Sequence, residues 1–134
     1  MSILINNIEF STDDLIYLAS PFTNENHSVE QMRTGLAKEA LSALLRMGLK
    51  AFSPICHSAL VVSSLRAKDY PPIPHDQWMK IDIDILSACK VLVVLELAGW
   101  HESEGVHAEI EFAEKNGIRT EYLTLDEIVA AAKK

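Results

Sequence analysis

The sequence is short of cysteine, with two in 134 residues. Cys56 and Cys89 stand far apart and form no CxxC pair, so neither a disulfide framework nor a zinc knuckle is suggested, and a reducing cytoplasm is the expected compartment. Glycine is scarce too: five residues and no GxGxxG or GxxxxGK[ST] run, which argues against a dinucleotide fingerprint or a P-loop. Basic residues are outnumbered, 12 Lys plus Arg against 19 Asp plus Glu, for a formal net charge of -7. That is the wrong sign for neutralising many backbone phosphates, and duplex nucleic acid is not an expected partner. A small anionic ligand stays open, since one placed arginine and a few N–H groups bind a phosphate whatever the global charge. The longest apolar run, Val91 to Leu97, is too short to span a bilayer, and no basic segment precedes the apolar residues of MSILINNIEFSTDD. Neither membrane insertion nor export is expected.

What is there is a chain with 49% hydrophobic and 23% charged residues. That balance fits one globular domain over 1–134, long enough to bury roughly 65–70% of the surface of its unfolded state. Leu15 to Ala19 (LIYLA) reads as a strand buried on both faces, ended by Ser20-Pro21. SVEQMRTGLAKEALSALLRMG reads as a helix with a possible Ser28 cap, with Val29, Met32, Leu36, Ala40 and Leu44 at helical spacing before Gly48. Lys50 to Pro54 reads as a short strand. Ile55 to about His75, with Pro71, Pro72 and Pro74, reads as an irregular lid or interface holding at most a short helix near Ala59 to Arg66. Asp76 to Cys89 is a helix, Val91 to Leu97 the most hydrophobic strand, Ser103 to Asn116 a helix closed by Gly117, and Arg119 to Leu123 a last strand. An Ala-rich helix follows, capped by Thr124 or Asp126, and Ile3 to Phe10 is an added edge strand or hairpin. Alternating strands and helices predict an α/β fold: a doubly wound parallel sheet, Rossmann/flavodoxin-like, with helices on both faces.

In such a sheet ligands bind beyond the carboxyl ends of the strands, which directs attention to SPFTNENHS, SPICHS and AGWHESEGVHAEIE. At about 100° per residue, Trp78, Ile85 and Cys89 share one helix face with Asp82 among them, while Asp84 points off it. On the next helix Val106, Ile110 and Ala113 define the inward face, and Glu109 lies along its edge. Two inward carboxylates flanking the central strand raise each other's pKa and are able to divide nucleophile and acid roles. The alternative is that each pairs with a cation or caps a loop. Arg33, on the apolar side of its helix, suits an anion or carboxylate partner, or an ordinary ion pair with its stem along the core. Phe22, Trp78 and Trp100 are able to stack on a planar ring, with Trp100 the better ligand wall and Trp78 equally a core residue. Ser103 and Gly105, ahead of Glu109, offer a hydroxyl and N–H groups at a helix N-terminus, or simply a serine cap. The histidines His27, His57, His75, His101 and His107 show no ligand spacing, and no metal or cofactor is expected.

Taken together, IYLASPF, DIDILSACKVLVVL and GWHESEGVHAEIEFA resemble the nucleoside 2-deoxyribosyltransferase superfamily, which includes the 2'-deoxynucleoside 5'-phosphate N-hydrolases, and within it a small branch of bacteria and their phages. The resemblance runs from about Leu15 to Leu123. Its most specific part is a Ser-x-Gly-x-x-x-Glu pattern at Ser103, Gly105 and Glu109, followed by Ala113, with Asp82 eight residues ahead of Lys90. It implies that Glu109 attacks the anomeric carbon, that Asp82 supports protonation of the departing base and that Tyr17 orients the glutamate. It further implies that Ser103 contacts the ligand and that Ser20, Pro21, Phe22 and the rest of the loop to Asn26, with Arg33, line the sugar or phosphate side. Cleavage of an N-glycosidic bond in a nucleoside or its 5'-monophosphate is the expected activity, by water or by base exchange, with Ser103 favouring hydrolysis of a monophosphate. A homodimer or larger homo-oligomer is implied as well. The loop SPFTNENHS departs from the glycine-rich run of the phosphate-binding hydrolases. A non-catalytic nucleotide-sensing module using the same crevice is the competing expectation.

Overall fold

The computed structural model describes residues 1–134. The elements run β1 (Ser2–Ile5), β2 (Ile8–Ser11), β3 (Leu15–Ala19), α1 (His27–Arg46), β4 (Lys50–Phe52), α2 (Pro54–Ala67), α3 (His75–Ser87), β5 (Val91–Leu95), α4 (Glu104–Lys115), β6 (Arg119–Leu123) and α5 (Leu125–Ala132), with one 3-10 turn at Trp100–Glu102. Four strands make a parallel sheet in the order β4-β3-β5-β6. Its two central strands are the two continuous apolar runs, and apart from Leu15 every residue in them is buried. A strand covered on both sides needs an apolar side chain at each position rather than at every second one.

Strand alternation sorts those side chains into two layers. Ile16, Leu18, Val91, Val93 and Leu95 pack with Ala40 and Leu44 of α1 and Ile128 of α5. Tyr17, Ala19, Leu92 and Val94 pack on the other face with Leu86 of α3 and Val106 and Ala113 of α4. Helices therefore cover both faces, as expected for a doubly wound α/β fold, and no helix is long and apolar enough to cross a membrane. The chain leaves β3 through α1 to reach the edge strand β4, and leaves β5 through α4 to reach the opposite edge, β6. The strand order thus reverses between β3 and β5, where an open sheet leaves a crevice at its carboxyl ends.

The largest departure from the sequence reading is α2. Ser53 and Pro54 do not end a strand: the Ser53 hydroxyl accepts from the Cys56 N–H at 3.2 Å and Pro54 occupies the first turn, so a 14-residue helix replaces most of the expected irregular stretch. Proline at that position loses no hydrogen bond, because the first N–H groups of a helix have no internal partner. In α1 the cap is Asn26, whose side chain accepts from Ser28 N–H at 2.8 Å, rather than Ser28 itself. The stripe that α1 buries is Ala37, Ala40, Ala43 and Leu44, leaving Met32 exposed. Thr124, not Asp126, caps α5, in a reciprocal capping box with Glu127. β1 and β2 form a separate antiparallel hairpin whose turn places Asn6 and Asn7 at positive φ, and its Ile5 and Phe10 fill the α1/α5 side of the core.

Candidate functional site

Tyr17 sits in the middle of β3, fully buried on the α3/α4 face, and is the only side chain of that inner strand layer with a polar tip. α4 crosses above it. Ser103 caps α4 by accepting from Val106 N–H at 3.2 Å, and the helix then seats Val106 and Ala113 against the sheet. Glu109 falls between them, three residues after one and four before the other, so the packing that orients α4 carries its carboxyl inward. It is 5% exposed and accepts a hydrogen bond at Oε2 from the Tyr17 hydroxyl.

The electrostatics follow from that burial. Removal from water pushes the Glu109 carboxyl up to about 8, the Tyr17 hydroxyl opposes the shift by stabilising the anion, and the Asp82 carboxylate adds to it. Asp82 of α3 is pushed up to about 6 by its own burial, against the pull of His57 and His75. The Tyr17 phenol is raised by burial and then by the two carboxylates, which keeps it a hydrogen-bond donor at any ordinary pH. Asp82 and Glu109 thus form a coupled acid pair whose protonation changes around neutrality.

Both carboxyls border a cavity of about 880 Å³ at the switch point. Ser20, Phe22 and Thr23 come from the loop after β3, and Ser103 and Gly105 from the start of α4. α2 supplies the facing wall through Ile55, Ser58, Val62, Leu65 and Arg66, a stripe at helical spacing. Trp78 and Met79 of α3, with Tyr70 and Ile73 ahead of it, complete an apolar side. A cavity this size, part apolar and part polar, suits a small organic ligand.

Of the residues singled out in the sequence, Asp82, Glu109, Ser20, Phe22, Ser103 and Gly105 meet at this cavity, with Tyr17 directly beneath Glu109. Pro21, Arg33 and Trp100 do not line it. Arg33 finds neither an anion nor a carboxylate: its guanidinium donates to the carbonyls of Phe22 at 3.3 Å, Thr23 at 3.0 Å and Ala98 at 3.4 Å. It staples the loop after β3 to the loop after β5. Gly99 makes room for it, since a Cβ there would lie 2.4 Å from Nη2 of Arg33, and its φ of +91° already favours glycine. Trp100 packs on His101 and Tyr122, with ring centroids 3.9 and 5.6 Å away, against the core beside β6.

Several cavity residues escape a reading based on strand ends. Arg66 and the α2 stripe were hidden by treating the Ile55–His75 stretch as irregular, although Ser53-Pro54 is itself a helix-start signal. Glu30, 7% exposed, accepts from Asn24 N–H at 3.2 Å, and its Oε1 lies 3.2 Å from His27 Nδ1 and 3.8 Å from Arg66. His75 opens α3 two turns before Asp82 on the same helix face, a spacing missed by starting that helix at Asp76. No three His, Cys, Asp or Glu side chains are grouped to hold a metal ion. A second groove of about 510 Å³, between β4 and α3, is lined mainly by apolar side chains and has Asp84 as its one acid, so it offers no acid pair.

No curated protein matches the sequence. Residues 14–123, the whole parallel sheet with α1 to α4, match the family described as a domain of unknown function, DUF1937, and the chain belongs to that family.

Proposed function

We propose that the protein cleaves the N-glycosidic bond of a nucleoside or its 5'-monophosphate, with Glu109 as the nucleophile. One observation carries the reading: a buried glutamate, held by the Tyr17 hydroxyl, faces a ligand-sized cavity that also contains a second carboxyl, Asp82. Breaking this bond builds positive charge on the sugar, and an anion fixed below the anomeric carbon stabilises that charge or captures it covalently. The Tyr17 hydroxyl fixes which oxygen is free to react. Oε2 receives its hydrogen bond, leaving Oε1 to approach the sugar. With an uncharged base, Asp82 delivers the proton as the bond breaks. Water then attacks the glycosyl ester to give the free sugar and restore Glu109, or a second base does so to give a new nucleoside.

The resemblance of the Ser103-Gly105-Glu109 segment to the nucleoside 2-deoxyribosyltransferase superfamily supports the same assignment. The test incubates the purified protein and Glu109→Ala with ribo- and deoxyribonucleosides and their 5'-monophosphates, with and without an added free base, and separates the products. Base released by the parent alone is the expected result. Equal release by Glu109→Ala removes the nucleophile assignment. Ligand-dependent thermal stabilisation without any product replaces the enzyme by a binding module.

A further inference from the structure

Charge around the cavity is strongly one-sided. Glu30, Asp82, Glu102, Glu104 and Glu109 border it, whereas the basic side chains there are Arg66, His27 and His75. Arg66 already has two neighbours, Glu30 at 3.8 Å and His27 at 3.3 Å, so the Glu30 carboxylate offsets part of its charge before any ligand arrives. The remainder of the cavity sets Asp82, Glu102 and Glu104 against His75, Glu109 being mainly protonated at neutral pH. Four helix N-termini border the cavity, and those of α1, α3 and α4 carry an acid in the first turn, Glu30, Asp76 and Glu104, with Glu102 flanking the last; that of α2 carries none. Like charges at that range oppose an incoming anion and favour a cation.

Two further features describe the ligand. Trp78 and Tyr70 present aromatic rings to the cavity, surfaces that attract a flat cation. Ser20, 5% exposed, lines it with a buried hydroxyl that has no partner in the protein, and an unpaired buried hydroxyl is costly unless something in the cavity, such as a sugar hydroxyl, satisfies it.

We infer that the cavity selects a nucleoside whose base carries a formal positive charge, an N-alkylated purine or a pyridinium, over a neutral nucleoside or a nucleotide. The inference rests on the N-glycosidase reading and names its substrate class. The chemistry fits the acid pair. When Glu109 attacks C1', the C1'–N bond breaks and its electron pair returns to the ring nitrogen, so the base departs neutral and needs no proton. Water then attacks C1', the bond to Glu109 breaks back to the carboxylate, and one proton is released to solvent. Asp82, half-buried and near 6, is mainly ionised at neutral pH, a poor acid but a good counter-charge. A positive ring beside Glu109 also favours its reactive anion, which a neutral base does not.

The test compares 7-methylguanosine, 7-methyl-2'-deoxyguanosine and nicotinamide riboside with guanosine, 2'-deoxyguanosine and their 5'-monophosphates. For each, kcat/KM is divided by the spontaneous rate, because charged bases leave more readily without an enzyme. The expected result is a value about tenfold or more above the neutral partner, falling several-fold in a Glu102→Gln/Glu104→Gln variant. Equal or better use of neutral nucleosides or monophosphates overturns the charge selection and leaves the N-glycosidase reading standing. No base released from any of them overturns both.

Discussion

The Tyr17 hydroxyl donates to Glu109 Oε2 across 92 positions of sequence, joining the middle of β3 to the middle of α4. Hydrogen bonds to a charged acceptor in a dry setting contribute about 1.5–3 kcal/mol. Tyr17→Phe keeps the ring in the core and removes only that donor, so kcat falls about 10- to 100-fold. Because the hydroxyl holds the Glu109 pKa down, its loss moves the Glu109 titration above about 8. A pH profile of the variant checks both effects. An unshifted profile with full activity would remove Tyr17 from the site.

The acid pair fixes the pH dependence toward an uncharged nucleoside. Between about 6 and about 8 the pair holds one proton, mainly on Glu109, and the reactive form with that proton on Asp82 is a minor share of the same state, so kcat/KM is bell-shaped with its maximum near pH 7. In Asp82→Asn only Glu109 titrates. Its pKa drops, because the charge that raised it is gone, and the residual rate loses its alkaline fall. Retention of both limbs in that variant would show that the second group is not Asp82.

Much of this site was legible because helical spacing and strand ends are local signals. Asp82 and Glu109 stand out as acids near apolar faces, and LIYLA and VLVVL identify the central strands with little ambiguity. Whether an inward acid meets a cation or another acid is set by which helices pack side by side on one face of the sheet, here α3 and α4, and no spacing encodes it. Arg33 shows the limit. Its helical position directs it toward the strand ends, yet its partners are three backbone carbonyls, which leave no pattern in a sequence. Trp100 has a similar history: a tryptophan between glycine and histidine reads as a loop residue, and only the fold supplies Tyr122 beside it. In α2 the signal was present but outweighed by the later prolines.

Burial of Glu109 links stability to pH. Its ordinary value of 4.5 rises to about 8 in the folded protein, so between those values the native state binds more protons than the unfolded one. The contribution of Glu109 to stability is then greatest below about 4.5, falls as pH rises through the window and is lost above about 8. The slope is about 1.4 kcal/mol per pH unit at full protonation difference. Glu109→Gln locks in the neutral form and still accepts from Tyr17. Its melting temperature exceeds the parent's by about 5 °C or more at pH 9, with the gap closing toward pH 5. A gap that does not vary with pH would mean that Glu109 is not buried as a neutral acid.

The Arg33 staple predicts coupling between two residues that do no chemistry. Gly99→Ala places a methyl group 2.4 Å from the guanidinium at a φ of +91°, and both effects destabilise, together by about 1–3 kcal/mol. Arg33→Ala removes the bonds to Phe22, Thr23 and Ala98 and loosens the loop that brings Ser20 and Phe22 to the cavity, so KM rises more than kcat falls. In the double variant the clash has no partner and only the backbone strain remains. Gly99→Ala therefore costs less in the Arg33→Ala background than in the parent, by about 1 kcal/mol, and the two losses are less than additive. Denaturant melts of the four proteins measure that difference directly. Strict additivity would mean that the two loops are held together by something other than Arg33, and the arginine would return to the list of residues awaiting a ligand.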